Sequence, residues 1–204
     1  MAKIDTLVLG PLQTNCYILR AEGADTCVVV DPAYSPEIIL DFAVKQGLAI
    51  EAILLTHGHF DHLGALENLR ARTGCALWMH PGDYHWRRDP MLDYLYPLHD
   101  KDLGDISFCQ DGTVIRAAGL EISVMHTPGH SRGSVCYRCE NLLISGDTLF
   151  ARGCGRTDLP GGDWATIQMS LADLAELEAD LYVYPGHGES TTLAQEKQYN
   201  PYMR

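Results

Sequence analysis

The sequence predicts an α+β fold, one domain over residues 1–204, in which two mixed sheets pack face to face with helices outside. Two observations carry this expectation. The chain runs through a series of strands followed by helices and then repeats that grammar, with no linker or low-complexity segment between the halves. The side chains suited to chemistry recur in the loop just after an apolar strand, so strand ends on one rim form a pocket.

In the first half, strands are expected at 6–10, 15–20 and 26–30. A helix over 36–46 follows, with Pro36 at its start and Gly47 at its stop. A buried strand at 52–55, a helix reaching about residue 72 and a short strand at 76–79 come next. From 80 to 111 the pattern dissolves into prolines, charges and the aromatic residues Tyr84, Trp86, Tyr94 and Tyr96, with a helical segment near 84–94. So long an irregular connection is more often a functional lid than a packed element. In the second half, strands are expected at 114–116, 121–126, 134–139 and 142–145. A helix over 164–177 has apolar residues at 164, 167, 171, 174 and 177. A strand at 181–184 and a helix from about 191 close the chain.

With 27 acidic against 15 basic residues the formal charge is −12, which repels phosphate backbones and anionic membranes and disfavours a nucleic-acid partner. No basic-then-apolar leader precedes Lys3, and no apolar run approaches the roughly 20 residues of a membrane helix, so a cytoplasmic location is expected. The seven cysteines are odd in number and scattered, as in a reducing compartment. Cys136 and Cys139 form a C-x-x-C, but on a strand residues three apart face opposite sides of the sheet and cannot share an ion.

The chemistry is concentrated in Thr56-His57-Gly58-His59-Phe60-Asp61-His62, directly after the apolar run 52–55. Along extended chain, residues two apart point the same way, so His57 and His59 can grip one ion. If Asp61 opens the next helix, it and His62 can converge on a second ion beside the first. His130, Asp147 and His187 each follow a later strand, and each is weak alone. Together the seven donors overfill one ion, since a catalytic zinc takes about three protein ligands, and suit two with a bridging carboxylate. Two divalent ions are therefore expected, about 3.5 to 4 Å apart. Zinc is the first choice, and the same donors suit iron or manganese. His80, His85 and His99 fall outside the ligand pattern, and His126, four residues before His130, is a candidate for orienting a ligand.

The order H-x-H-x-D-H, then His, Asp and His, with Asp31 in Val30-Asp31-Pro32, resembles the metallo-β-lactamase superfamily almost end to end. The resemblance implies a four-layer αββα sandwich with the site at one edge of the sheets. It implies one metal held by His57, His59 and His130, a second by Asp61, His62 and His187, and Asp147 shared by both. It gives Asp31 an orienting rather than ligating role. Metallo-β-lactamases proper tend to carry Cys where this chain has Asp147, which disfavours antibiotic hydrolysis. His59 excludes the flavodiiron branch, and the acidic chain fits the tRNA-processing branch poorly. The segments Thr127-Pro128-Gly129-His130, Ser145-Gly146-Asp147-Thr148-Leu149-Phe150 and Gly153-Cys154-Gly155-Arg156 resemble glyoxalase II, or hydroxyacylglutathione hydrolase. Two departures are the lack of that family's C-terminal helical domain before Arg204 and the run 156–163, which is similar to short single-domain bacterial relatives.

These features point to a hydrolase in which two metals generate a hydroxide that attacks a carbonyl, with a small-molecule thioester as substrate. Asp61 is the candidate catalytic residue, ligating and orienting that hydroxide. A thiolate, with a pKa of about 8.5, leaves without a dedicated acid. Arg156 is the candidate for binding a substrate carboxylate, against a salt bridge to Asp158 or Asp163. The competing reading is a persulfide dioxygenase with one Fe(II) on His57, His130 and Asp147. A lactonase and a structural zinc protein rank lower, the latter because structural sites are closed and usually cysteine-rich.

Overall fold

Alternation along the central strands sets the architecture, because neighbouring residues enter different cores. Ile18, Val29 and Ile53 pack outward with Ile39, Leu66 and Leu69 of helices, while Leu19, Val28, Val30 and Leu54 pack inward with Ile122, Val124, Tyr137 and Ile144. On the far side Leu143 and Val183 pack against the helical residues Ile167, Leu171 and Leu174. Three cores separate four layers, helix, sheet, sheet, helix, as expected from the sequence. The computed structural model describes residues 1–84, 95 and 103–203.

The first sheet runs in chain order, β1 (Ala2–Leu9), β2 (Thr14–Ala21), β3 (Thr26–Val30), β4 (Ala49–Leu54), β5 (Ala76–Met79) and β6 (Ser107–Phe108). Its first three strands are antiparallel, and β3 to β6 pair in parallel. Parallel neighbours need a crossover. Helix α1 (Pro36–Lys45) supplies it between β3 and β4, and α2 (Phe60–Leu63) with α3 (Leu66–Thr73) between β4 and β5. The single helix expected here is broken, because the Ala65 amide donates to the Pro32 carbonyl and the chain turns to follow that loop. A short helix, α4 (Pro81–Tyr84), follows β5.

The second sheet comprises β7 (Val114–Ala117), β8 (Leu120–His126), β9 (Val135–Cys139), β10 (Leu142–Gly146), β13 (Tyr182–Pro185) and β14 (Thr191–Thr192), in the order β14-β13-β10-β9-β8-β7. A hairpin of β11 (Leu149–Phe150) and β12 (Gly153–Cys154) stands beside it. Helix α5 (Trp164–Ala175) crosses from β10 to the parallel β13, capped by the Asp163 carboxylate on the Thr166 amide, and α6 (Leu193–Tyr199) follows β14. Trp164, expected on the buried stripe of α5, is instead half-exposed with its ring against Tyr202. Cys136 lies in the outer core and Cys139 between the sheets, so the C-x-x-C does face two ways, and all seven cysteines are free. No helix among the described residues is long and apolar enough to cross a membrane.

Two local features carry consequences for stability. Gly129 has φ +130°, and a Cβ there would lie 2.3 Å from the Ile167 amide nitrogen at the start of α5. Gly129→Ala is therefore expected to lower unfolding stability by at least about 1 kcal/mol, from backbone strain alone. An unchanged denaturant midpoint would contradict this.

The second feature is a stack between the sheets. The rings of His80, after β5, and His126, at the end of β8, lie 4.0 Å apart at 12°. Burial and the neighbouring His126 push His80 down to about 4. The folded state thus prefers the neutral ring, while the unfolded chain takes up a proton near pH 6.5. Stability from His80 is present above about pH 6.5 and is lost as the pH falls toward 4. In His80→Asn, which can still accept the Gly82 amide, stability should fall less steeply over that range. Identical pH profiles by thermal melting would refute the assignment.

Candidate metal centre

Four loops meet where the two sheets share a rim, each leaving a strand end: 55–61 after β4, 127–134 after β8, Asp147 after β10 and 186–188 after β13. The sheets are laced together there. The Val135 amide donates to the Thr56 carbonyl at 2.8 Å, and the Tyr137 hydroxyl to the Leu55 carbonyl at 2.7 Å. The Asn15 amide donates to the Gly186 carbonyl at 2.7 Å, and the Asn15 side chain to the carbonyls of Pro185 and Gly188. Gly186 passes so close to Asp147 that a Cβ would lie 2.1 Å from Oδ1, which only glycine avoids.

This lacing brings all seven expected donors together. Ring atoms of His57, His59 and His130 lie within 4.8 Å of one another, as do donor atoms of Asp61, His62 and His187. Asp147 stands between the trios, Oδ2 at 3.5 Å from His130 Nε2 and 3.6 Å from His187 Nε2, and Oδ1 at 3.5 Å from His62 Nε2. His59 turns Nδ1 toward His130 Nε2 at 2.8 Å, and His187 Nε2 lies 3.2 Å from Asp61 Oδ2. The Thr14 hydroxyl donates to the same Asp61 oxygen at 3.1 Å.

Hydrogen bonds behind the rings decide which nitrogen faces the centre. His130 Nδ1 donates to the Arg156 carbonyl at 2.8 Å and His187 Nδ1 to the Leu12 carbonyl at 3.2 Å. His62 Nδ1 donates to Asp31 Oδ2 at 2.9 Å. The Thr56 hydroxyl also donates to Asp31 Oδ2, at 2.6 Å, and so accepts from His57 Nδ1 at 3.0 Å. In each ring Nε2 is the nitrogen left facing the centre, the arrangement that outer partners impose on metal-binding imidazoles. Nε2 of His57 and His62 and Oδ1 of Asp147 are buried and make no hydrogen bond among the described residues. Buried polar atoms left in this way call for a partner. Imidazole and carboxylate donors so disposed fit divalent zinc, iron or manganese.

Asp31 also groups with His57 and His62, but its oxygens already take the Thr56 amide, the Thr56 hydroxyl and His62 Nδ1. It stands behind His62, as an orienting residue would, in a left-handed backbone conformation at φ +51°.

Burial and the neighbouring rings hold His57 well below the ordinary imidazole range, and burial beside His130 pushes His59 down to about 2. For His62, burial favours the neutral ring, but the carboxylates of Asp31 and Asp147 outweigh it and push the ring up to about 9. His187 is raised in the same way, burial being overcome by Asp61 and Asp147. Burial would raise Asp61, yet the hydrogen bond from His187 and the charge of His62 hold it below the usual carboxylate range. The cluster thus offers neutral rings at His57 and His59 and an ionised oxygen at Asp61.

Sequence reasoning missed Asp83, placed by the sequence in the irregular stretch. It is 1% exposed and accepts from the Gly58 amide at 2.8 Å, the Ser131 hydroxyl at 2.7 Å and the Gly133 amide at 2.7 Å. Burial pushes its carboxyl up against these three bonds. Its partners lie 25 to 50 positions away, so no local signal marks it. Thr14 and Asn15 were missed for the same reason. His126 contacts His80 and the Arg132 carbonyl, two residues past His130, so any orienting action is exerted through that loop.

A cavity of about 580 Å³ opens over the donors, with apolar walls from Leu12, Phe60, Leu95, Phe150 and Leu159. Arg156 and Cys154, from the segment that follows β11, also line it. The Arg156 guanidinium makes a bidentate pair with Asp158, both bonds 2.7 Å, and both side chains are exposed. Tyr84, in the irregular stretch read as a lid, packs on the outer core beside Phe108. His85, Trp86, Tyr94, Tyr96 and His99 lie outside the described residues.

Comparison with known proteins agrees with this geometry. The chain is 30% identical to hydroxyacylglutathione hydrolase GloC of Haemophilus influenzae, over 98% of this chain and 97% of that protein. Among solved structures, the BLEG-1 B3 metallo-beta-lactamase superposes with a TM-score of 0.85 at 34% identity, covering 98% of this chain and 99% of that one. TTHA1623 in a di-iron-bound form superposes with a TM-score of 0.80 at 35% identity, covering 97% and 99%. The model of the metallo-beta-lactamase superfamily matches residues 9–187, from the end of β1 to the last candidate donor, and the chain belongs to that superfamily.

Proposed function

We propose that the chain is a hydrolase using two divalent metal ions, and that its substrate is a small thioester such as an S-2-hydroxyacyl thiol. The observation that carries the reading is the pair of donor trios sharing Asp147 beneath one apolar-walled cavity. His57, His59 and His130 would hold one ion, Asp61, His62 and His187 the other, and Asp147 both. Zinc is the ion we favour, and the di-iron form of a 35% identical protein supports iron as an alternative. Such ions supply Lewis acidity and make water a competent nucleophile at neutral pH.

The chain's own groups do the rest. Asp61 lines the cavity with its Oδ2 fixed by the Thr14 hydroxyl, placed to orient the attacking water. Phe60, Phe150 and Leu159 offer an apolar surface for the acyl group and keep bulk water from it. A thiolate departs unaided, so the reaction requires no dedicated general acid. The likeness to hydroxyacylglutathione hydrolase GloC supports the thioester class, and the acidic charge and free thiols support a cytoplasmic enzyme without a nucleic-acid partner.

Metal analysis joined to a panel of thioester, lactone and β-lactam substrates tests the reading. β-Lactams belong in the panel because a protein described as a B3 metallo-beta-lactamase is 34% identical. We expect two ions per chain and the highest kcat/KM on thioesters. Asp147→Ala should lose both ions, and Asp61→Ala mainly the second. Turnover of lactones or β-lactams alone, or oxygen uptake with a glutathione persulfide, would replace the thioester assignment.

Arg156 would meet a substrate carboxylate, in competition with Asp158. Arg156→Ala should raise KM for a carboxylate-bearing thioester about tenfold, the worth of one charged hydrogen bond, and leave a neutral thioester nearly unaffected. Asp158→Ala should lower KM for the charged substrate. Equal effects on both substrates would leave Arg156 as a structural residue whose carbonyl holds His130.

A further inference from the structure

The trio His57, His59 and His130 is assembled from two different sheets. His57 and His59 follow β4 of the first sheet, and His130 follows β8 of the second. Among the described residues no strand ladder joins β4 to β8, so the spacing of the two loops is set by bonds between them. Asp83 makes three of these. One oxygen takes the Gly58 amide, between the two first-sheet histidines, together with the Ser131 hydroxyl next to His130; the other takes the Gly133 amide. The Ser131 and Ser134 hydroxyls lie 2.7 Å apart and extend the network along the same loop. Among the described residues the seam is also closed nearby by the Val135 amide on the Thr56 carbonyl, the Tyr137 hydroxyl on the Leu55 carbonyl and the contact of His59 Nδ1 with His130 Nε2, none of which holds Gly58 or the 131–133 turn.

We propose that Asp83 is a positioning residue that sets how tightly His57, His59 and His130 grip their ion. The inference rests on the two-metal reading above. Its three bonds go to the Gly58 and Gly133 amides and the Ser131 hydroxyl, so Asp83 acts through the two loops that carry the trio. Asp31 occupies the matching place for the other trio, directly behind His62. Asp83 bridges the two loops of the first trio, whereas Asp31 reaches the second trio directly at His62 and the first through the Thr56 hydroxyl on His57, so perturbing Asp83 should weaken one ion selectively.

The replacement Asp83→Asn keeps the volume but turns an amide NH2 toward backbone N–H groups, so at least one bond between the loops is lost. Zinc titrations against a competing chelator, on the full chain freed of metal, read the two binding steps separately. In Asp83→Asn we expect one step to weaken by about 10- to 100-fold, the usual effect of losing an outer partner, with the other unchanged. Asp31→Asn should weaken chiefly the opposite step and, through Thr56 and His57, the first to a lesser degree. Cobalt(II) absorption should report a changed ligand field for the weakened site alone. Ser131→Ala removes one donor and leaves both backbone bonds, so it should weaken the same step to a lesser degree and serves if Asp83→Asn does not fold. Unchanged affinities in Asp83→Asn, or equal weakening of both steps with a lower melting temperature of the metal-free chain, would make Asp83 merely structural. Fewer than two ions on the unaltered chain would instead overturn the two-metal reading itself, and this inference with it.

Discussion

Five imidazoles and two carboxylates stripped of water at one seam are costly unless every nitrogen and oxygen has a defined partner. The rest of the structure follows from how that requirement is met. Four rings are held from behind, by the carbonyls of Leu12 and Arg156, by Asp31 and by the Thr56 hydroxyl. Once the outer nitrogens are committed, the inner nitrogens have nowhere to point but the shared centre. Divalent cations are the partners that turn this arrangement from a liability into a stable site.

The two sheets serve as the platform for these bonds. Each sheet buries both faces, with residues alternating between the inter-sheet core and an outer helical layer. That packing fixes the strand ends, and the ends fix the loops. Thr56, Asp147 and His187 sit where β4, β10 and β13 run out; amide bonds across the seam tie Thr56 to Val135 and Gly186 to Asn15, and within the second sheet the Gly186 amide bonds the Gly146 carbonyl. The substrate cavity is built from the same loops, so a shift in the 152–163 segment moves a wall and, through the Arg156 carbonyl, a candidate ligand together.

What could be read in the sequence was what is local or periodic. The cluster from His57 to His62 is legible because its geometry is set by a strand end and the next helix, and the longer strands because alternation persists over four or more residues. The two-residue strands β6, β11, β12 and β14 carry no period and were missed. The helix after the cluster was read as continuous because the bond from Ala65 to Pro32 joins distant segments. Asp31 was found only through family resemblance, and Asp83, Thr14 and Asn15 not at all, since every partner that defines them is far away in the chain. For Arg156 the reading looked to the side chain, whereas the bond it makes to the site comes from the main chain.

The central claim is that the seven donors form two adjoining cation sites with Asp147 between them. Anomalous diffraction from crystals grown with zinc measures this most directly. The account predicts two peaks, one bounded by His57, His59 and His130 and the other by Asp61, His62 and His187, each beside an oxygen of Asp147. A single peak, with Asp61 and His187 turned away from it, would contradict the claim.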